Sequence, residues 1–497
     1  MAHSRIPDHS RRWLILAMVA LAQLMVVLDL TIVNIALPSA QRALHFSNSD
    51  RQWVVTAYAL GLGALLPLGR SLSDLFGRRR MLVIGLVGFA GISAVGGMAP
   101  SCQWLLIARS FQGLFAALLS PAALSALNTA FTEPAERGKA FGVYGAVAGS
   151  GAAVGLLLGG VLTEYLSWRW CLYVDLMLAA PAVLLALTLL SHQPIRRPIR
   201  LDLPGALTGS LGVFSLVYAF SHAESAGWDA ATTLACLAAG VVLLAVFVAI
   251  QHHSARPMLP LRLLADRNRA GSYLAVLIVG IGMFGVFLFV TYYLQQTLSY
   301  SPATSGLAFL PMVGMIVVSS TTANTPLLAR SGPRPLIASG MELAAVGTVL
   351  LTRLGLRADY GTEILPALLL VGTGVGLVMA AAINTANGGV DVADSGIASA
   401  LVTTGQQIGG SIGTAVLSTL AASATATYLA THHTGTALAA HATLHGYTVA
   451  FATSAGVFAA GAVICGLILR RAAFQHAPNS RPGDRRPTQP QSLEASS

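Results

Sequence analysis

Three acids and one base stand in apolar stretches of this 497-residue chain: Asp29, Asp175, Glu342 and Arg109. An ionised carboxyl at the centre of a membrane helix costs about 2.5–3.5 kcal/mol on insertion scales, so Asp29 is expected to face a protein interior. A carboxyl held there can take a proton from one side of a membrane and release it to the other as its surroundings change. The alternative is a structural carboxylate, fixed by hydrogen bonds to Thr31 or Asn34. Arg109 cannot give up its proton, so it must be paired or hydrated, as an ion pair or as a clamp on backbone carbonyls. Gln112, three residues on, shares its helical face. Asp175 is either a second intramembrane carboxyl or a partner for Arg169. Glu342 lies one or two turns from Arg334 and has the simpler reading of a snorkelling side chain.

The elements that position these residues follow from composition. Hydrophobic residues make up 55% of the chain and charged residues 10%, with a mean hydropathy of +0.70, which leaves too little polar surface for a water-soluble globule of this size. A bilayer core of roughly 30 Å takes about 20 apolar residues as helix, and stretches of that length recur from Trp13 almost to the end. Helical runs of this length exclude an outer-membrane barrel. Fourteen spans are predicted: 13–38, 52–69, 81–99, 104–130, 138–162, 168–190, 203–222, 230–250, 271–294, 303–323, 335–353, 361–382, 394–423 and 446–469. The first is too long for a signal peptide and carries Asp29 and Asn34. Arg42, Arg51, Arg169, Arg353 and Arg357 fall on one side, Arg109 within a span, and the other basic residues on the opposite side with both tails. By the positive-inside rule both termini are therefore cytoplasmic. Lys139 is the sole lysine in an alanine-rich chain, which suggests a GC-rich bacterial source.

A cationic turn, Gly69 to Arg80, contains Asp74, Gly77, Arg78 and Arg79 between two apolar runs. Its rhythm returns in Leu328–Gly340, with Gly77 matching Gly332, Arg79 matching Arg334 and Gly85 matching Gly340. The offset is eight spans rather than six. It predicts an all-α polytopic membrane protein of two six-helix bundles, 13–190 and 271–470, with two inserted helices in 191–270. A tail, 1–12, precedes them and a polar, proline-rich tail, 471–497, follows and is expected to be disordered. Parallel six-helix repeats are the build of the major facilitator transporters.

Four stretches carry a specific resemblance, to the fourteen-helix drug:proton antiporter branch of the major facilitator superfamily. Gly69–Arg80 resembles the loop signature after helix 2, and Leu105–Gly113, centred on Arg109, that of helix 4. Leu28–Pro38 resembles the helix 1 signature of the branch, and Gly145–Gly160 the antiporter signature of helix 5. The resemblance covers nearly the whole chain. It implies proton-coupled export of hydrophobic or amphipathic compounds such as antibiotics, with Arg109 in proton transfer; Asp29 and Asp175, from their place within spans, are the candidate proton-coupling carboxyls. It also implies a gating loop of Gly69, Asp74, Gly77, Arg78 and Arg79, and an antiporter helix with Gly151, Gly155, Gly159 and Gly160. This chain departs from the family pattern at Leu156, where proline is usual, and at Asp175 and Met177, where asparagine and proline are common. Leu156 favours the alternative of a proton-coupled importer or facilitator of a small metabolite.

Asn34, Gln112, Gln295 and Gln406 are expected to line a substrate cavity, or else to bridge helices. Asp74 and its arginines are expected to latch onto the start of span 13 near Asp394, or else to serve as a topology anchor. Four scattered cysteines show no pairing or metal spacing, and His432, His433, His441 and His445 lack cysteine or carboxylate companions. No phosphate-binding loop occurs, and no nucleophile stands beside a base, so an enzyme is not expected. The expected partners are a small hydrophobic or amphipathic molecule, protons and the lipid bilayer, with no nucleic acid, metal or cofactor, around a monomeric chain in the plasma membrane.

Overall fold

A computed structural model describes residues 9–47, 50–51, 53–58, 60–62, 72, 75–131, 133–190, 202–254, 261–323, 331–388, 390, 395–432 and 437–470. Gly69, Asp74, Asn324, Asp394 and His433 lie outside them. The described residues are nearly all helical and contain no strand. We number the long helices α1 (His9–Leu44), α2 (Trp53–Leu62), α3 (Arg78–Gly97), α4 (Cys102–Ala130), α5 (Pro134–Tyr165), α6 (Trp170–Leu189), α7 (Leu203–Ala226) and α8 (Ala231–His253). They continue as α9 (Arg267–Tyr292), α10 (Pro302–Thr322), α11 (Pro333–Leu351), α12 (Leu365–Asn387), α13 (Ser395–Thr431) and α14 (Leu438–Ile468). Among the described residues eleven helices are long and apolar enough to cross a membrane. The predicted spans 52–69, 138–162 and 203–222 are met by the shorter apolar stretches Trp53–Leu62, Ala153–Tyr165 and Pro204–Phe220.

The packing order repeats. Helix α1 lies against α4, α5 and α6, and α3 against α4 and α6; eight helices later, α9 lies against α12, α13 and α14, and α11 against α12 and α14. The inserted α7 and α8 pack on each other, and α7 also rests on α13 and meets α2 through Tyr218 and Trp53, whose ring centroids are 5.8 Å apart. The same recurrence reaches local geometry. Gly77 and Gly332 precede α3 and α11 with φ of 91° and 74°, a left-handed region that a β-carbon disfavours. Arg11, at the start of α1, donates to the Leu189 carbonyl at the end of α6, 3.2 Å, and Arg267, at the start of α9, donates to the Leu467 carbonyl at the end of α14, 3.4 Å.

Lipid offers no hydrophobic drive between helices, so close backbone approach must come from small side chains. On α5, Gly151, Gly155 and Gly159 form a stripe that receives α1: a β-carbon at Gly155 would overlap Thr31 Oγ1, and one at Gly159 would lie 2.9 Å from the Ile32 carbonyl. Gly409 and Gly413 of α13 receive Leu277 and Ile281 of α9 in the same way. Gly61 of α2 and Gly113 of α4 meet backbone to backbone, each denying room for a β-carbon on the other helix. A substitution at Gly113 must therefore move α2. Gly113→Val is expected to destabilise the bundle by about 1–3 kcal/mol, the usual range for overpacking. The thermal unfolding midpoint of the detergent-solubilised variant checks this; an unchanged midpoint would contradict the close α2–α4 contact.

Candidate functional site

Asp29, Arg109, Gln112 and Asp175 come together in one buried polar cluster inside the α1–α6 bundle, with exposures of 0%, 1%, 0% and 0%. Helix α1 supplies Asp29 and α4 supplies Arg109 and Gln112 one turn apart, so both α4 side chains point at the same carboxylate. Arg109 Nη1 donates to Asp29 Oδ1 at 2.8 Å and to Oδ2 at 2.6 Å, and its Nε donates to the Val54 carbonyl at 3.2 Å. Its guanidinium carbon sits 4.5 Å from the ring centroid of Tyr58. Gln112 accepts from Arg109 Nη1 at 3.0 Å and donates through Nε2 to Asp29 Oδ1 at 3.2 Å. Arg109 is thus both an ion-pair partner and a carbonyl clamp.

The cluster extends past Asp29. Gln112 Nε2 also reaches Ser93 Oγ of α3 at 2.8 Å, and Ser93 Oγ lies 2.6 Å from Asp175 Oδ2 on α6 and 2.9 Å from the Leu172 carbonyl. Buried charge without a partner is costly in any apolar medium, and here the one guanidinium is bonded to Asp29 while Asp175 is bonded to Ser93. The alternative partners considered for Asp29 and Asp175 are engaged elsewhere. Thr31 donates to the carbonyls of Val27 and Leu28, and Asn34 to that of Leu30, so neither supports Asp29. Arg169 donates to the Ala99 carbonyl at 3.2 Å and covers the Trp168 ring, leaving Asp175 to Ser93.

Ser93 and Tyr58 are cluster members that the sequence did not single out. A lone serine or tyrosine in an apolar run is common in packed helices, and its only signal is a position among small residues. Glu342 is exposed on α11 and takes no part.

The remaining candidates fall elsewhere. Gln295 lies in a single π-helical turn, Tyr293–Thr297, and donates to the Ile35 carbonyl of α1 at 3.1 Å. It stands where the ends of α1, α5, α9 and α10 meet. There the Glu164 carboxylate accepts from the Ala303 amide at 3.0 Å, a β-carbon on Gly160 would lie 2.6 Å from Ala303 Cα, and one on Gly306 would overlap the Leu156 carbonyl. Arg51 stacks on the Tyr292 ring at 3.3 Å, adding a contact of α9 to the start of α2. Helix α5 runs unbroken through Leu156. Gln406 is half-buried on α13, its carbonyl close to Gly280 of α9.

At the other end Arg79 donates to the Leu187 carbonyl of α6 at 2.6 Å and Arg12 pairs with Glu136 at 2.9 Å. Arg78 opens α3, half-buried. The expected latch between Asp74 and Asp394 falls outside the described residues. Among the described residues no group of three or more His, Cys, Asp or Glu is placed to hold a metal ion; His432 stacks on Tyr428 with ring centroids 4.1 Å apart.

A multi-pass helical bundle that buries an acid–base cluster within its spans is the construction of membrane proteins with ion or substrate pathways. The chain belongs to the Major Facilitator Superfamily, whose family model matches residues 19–414. It is 49% identical over 465 residues to the puromycin resistance protein of Streptomyces alboniger, covering 93% of this chain and 92% of that one. It is 37% identical over 414 residues to the cephamycin export protein of Amycolatopsis lactamdurans, covering 82% and 85%. Two solved structures share the fold. A bacterial homologue of the human lysosomal transporter Spinster matches with a TM-score of 0.66 at 16% identity, over 93% of this chain and 98% of that one. The POT family transporter PepTSo matches with a TM-score of 0.67 at 15% identity, over the same shares.

The α5–α10 contact makes a steric prediction with an internal control. Gly306→Leu should force the two helices apart and raise amide hydrogen exchange in residues 156–164 severalfold. Gly314→Leu, on the same helix with nothing within 4 Å of its β-carbon, should leave exchange unchanged. Equal exchange in both variants would contradict the contact.

Proposed function

We propose that the protein is a proton-driven exporter of hydrophobic or amphipathic compounds, antibiotics among them, and not an enzyme. The observation that carries this reading is the Asp29–Arg109 pair, fully buried within the spans and linked through Gln112 and Ser93 to a second acid. The names of the two relatives, puromycin resistance and cephamycin export, support the direction of transport and the class of cargo. Residues 13–190 and 271–470 act as two six-helix halves, with the pair in 191–270 inserted between them; the recurrence of packing at an offset of eight helices supports this division. Both termini are cytoplasmic in the plasma membrane, and the monomer is the working unit.

In this orientation the contacts among Ile35, Leu156, Gly160, Glu164, Gln295, Ala303 and Gly306 close the outer side. A proton reaching Asp29 cancels the carboxylate that holds Arg109. The cation then needs another partner, and α1 and α4 lose the bond that ties them. The glycine stripe of α5, seated on α1 next to Asp29, carries that loosening to the α5–α10 contact, where Gly160 faces the other half. The two halves rock about a midplane site, to whose lining Asn34 and Gln406 are assigned, while Gln112 belongs to the Asp29 cluster and Gln295 to the outer contact. One proton crossing 100 mV supplies about 2.3 kcal/mol, enough to hold a gradient of tens-fold in a neutral compound. Gly77, Arg78 and Arg79, with Gly69 and Asp74, form the gating turn; Arg79 anchors it to the end of α6.

Everted membrane vesicles should accumulate a compound to which the protein confers resistance when a pH gradient is imposed, and Asp29→Asn should abolish that accumulation while the protein still inserts. Gradient-driven transport at the wild-type rate in the variant would sink the coupling role. Equal sensitivity of cells with and without the protein across a broad drug panel would sink export.

A further inference from the structure

Ser93 has one hydroxyl proton and two acceptors for it. The Leu172 carbonyl at 2.9 Å can only accept, and Asp175 Oδ2 stands closer, at 2.6 Å. The hydroxyl oxygen also receives Gln112 Nε2 at 2.8 Å. If Asp175 were ionised, one of the two acceptors would go without a full hydrogen bond. With a proton on Asp175 Oδ2 every contact has its own hydrogen: Asp175 donates to Ser93, Ser93 to Leu172, and Gln112 to the remaining lone pair of Ser93.

The charge balance points the same way. The groups facing Asp175 are Asp29 from α1, Tyr58 from α2, Arg109 from α4 and Cys171 on α6 itself, with Ser93 on α3. Arg109 is the one cation among them, and it already bonds both oxygens of Asp29. A second carboxylate would leave a net negative charge in a fully buried site, with Asp175 Oδ1 lacking a hydrogen-bond partner among the described residues.

We propose that Asp175 is a second proton-carrying site of the cluster, protonated while Arg109 is paired with Asp29 and ionised once Asp29 has taken up a proton. The balance is simple. Asp29 gains a proton from water on one side, Asp175 Oδ2–H gives one up to water on the other, and Arg109 faces one carboxylate before and after. Ser93 turns its hydroxyl from Leu172 to the newly ionised Asp175, and so positions that acid. The proposal rests on the proton-coupled reading above, yet the protonation state of Asp175 can be read without transport.

The test is infrared spectroscopy of the full-length protein in lipid vesicles at neutral pH. The wild type should show the carbonyl band of a protonated carboxyl. Asp175→Asn should remove it, and Asp29→Asn should remove it as well, because Asp175 then becomes the anion for Arg109. Ser93→Ala, which keeps the acid but takes away its hydrogen-bond acceptor, should shift the band and guards against a misfolded Asp175 variant. Absence of the band from the wild type, its survival in Asp175→Asn, or an unmoved band in Ser93→Ala would overturn the proposal. A wild type that shows the band but no proton-driven export would overturn the export reading and leave the protonated Asp175 standing.

Discussion

A guanidinium that cannot lose its charge, buried among membrane helices, must be paired or hydrated. That constraint at Arg109 organises the bundle. It draws α1 to α4 through Asp29, holds the backbone of α2 at Val54, and lays Arg109 over the Tyr58 ring. Removing one partner of such a pair costs about 3–5 kcal/mol in proteins where it has been measured. The pair therefore does not contribute stability cheaply. In the proposed mechanism its use is that protonating Asp29 changes which helices are held together.

The packing around the pair turns this local event into a larger one. The face of α1 at Leu28, Thr31 and Ile32 sits directly on the glycines of α5, which meet the Leu28 and Ile32 carbonyls as well as Thr31 Oγ1. Backbones in such contact cannot absorb a shift by rotamer changes, so a movement of α1 is passed to α5 and on to α10 at Gly160 and Gly306. The second bundle repeats the glycine contact between α9 and α13 but has no matching ion pair among the described residues. In this reading the first half carries the proton chemistry and the second carries the opposing surface. The inserted α7 touches both halves, at Trp53 and along α13, and so accompanies the seam between them.

Much of this was legible from residue types because the membrane makes exceptions conspicuous. Asp29 and Arg109 stand with Asp175 and Glu342 as the charged residues in apolar runs, and a fixed cation in such a run needs a partner or water. The echo of Gly77 in Gly332 was legible because a left-handed backbone position selects glycine, and it set the repeat at eight helices. What escaped was chemistry carried by residues that helices tolerate anyway. Ser93 looks like any small packing residue until α3 is placed against α6. The partner of Asp175 could not be chosen between Ser93, 82 residues away, and Arg169, six away, without the fold. The π-turn that delivers Gln295 to Ile35 leaves no mark that distinguishes it from ordinary helix. The latch expected at Asp74 lies outside the described residues, and its neighbour Arg79 is seen bonded within its own half instead.

The central claim is that proton movement runs through Asp29 because Arg109 must be kept paired. The most direct measurement is proton movement across sealed proteoliposomes with a pH-sensitive dye inside, on addition outside of a compound that the protein exports from cells. In wild type, entry of the compound should drive protons out and raise the internal pH, and Asp29→Asn should leave the internal pH unchanged. A variant that raises the internal pH at the wild-type rate would contradict the account.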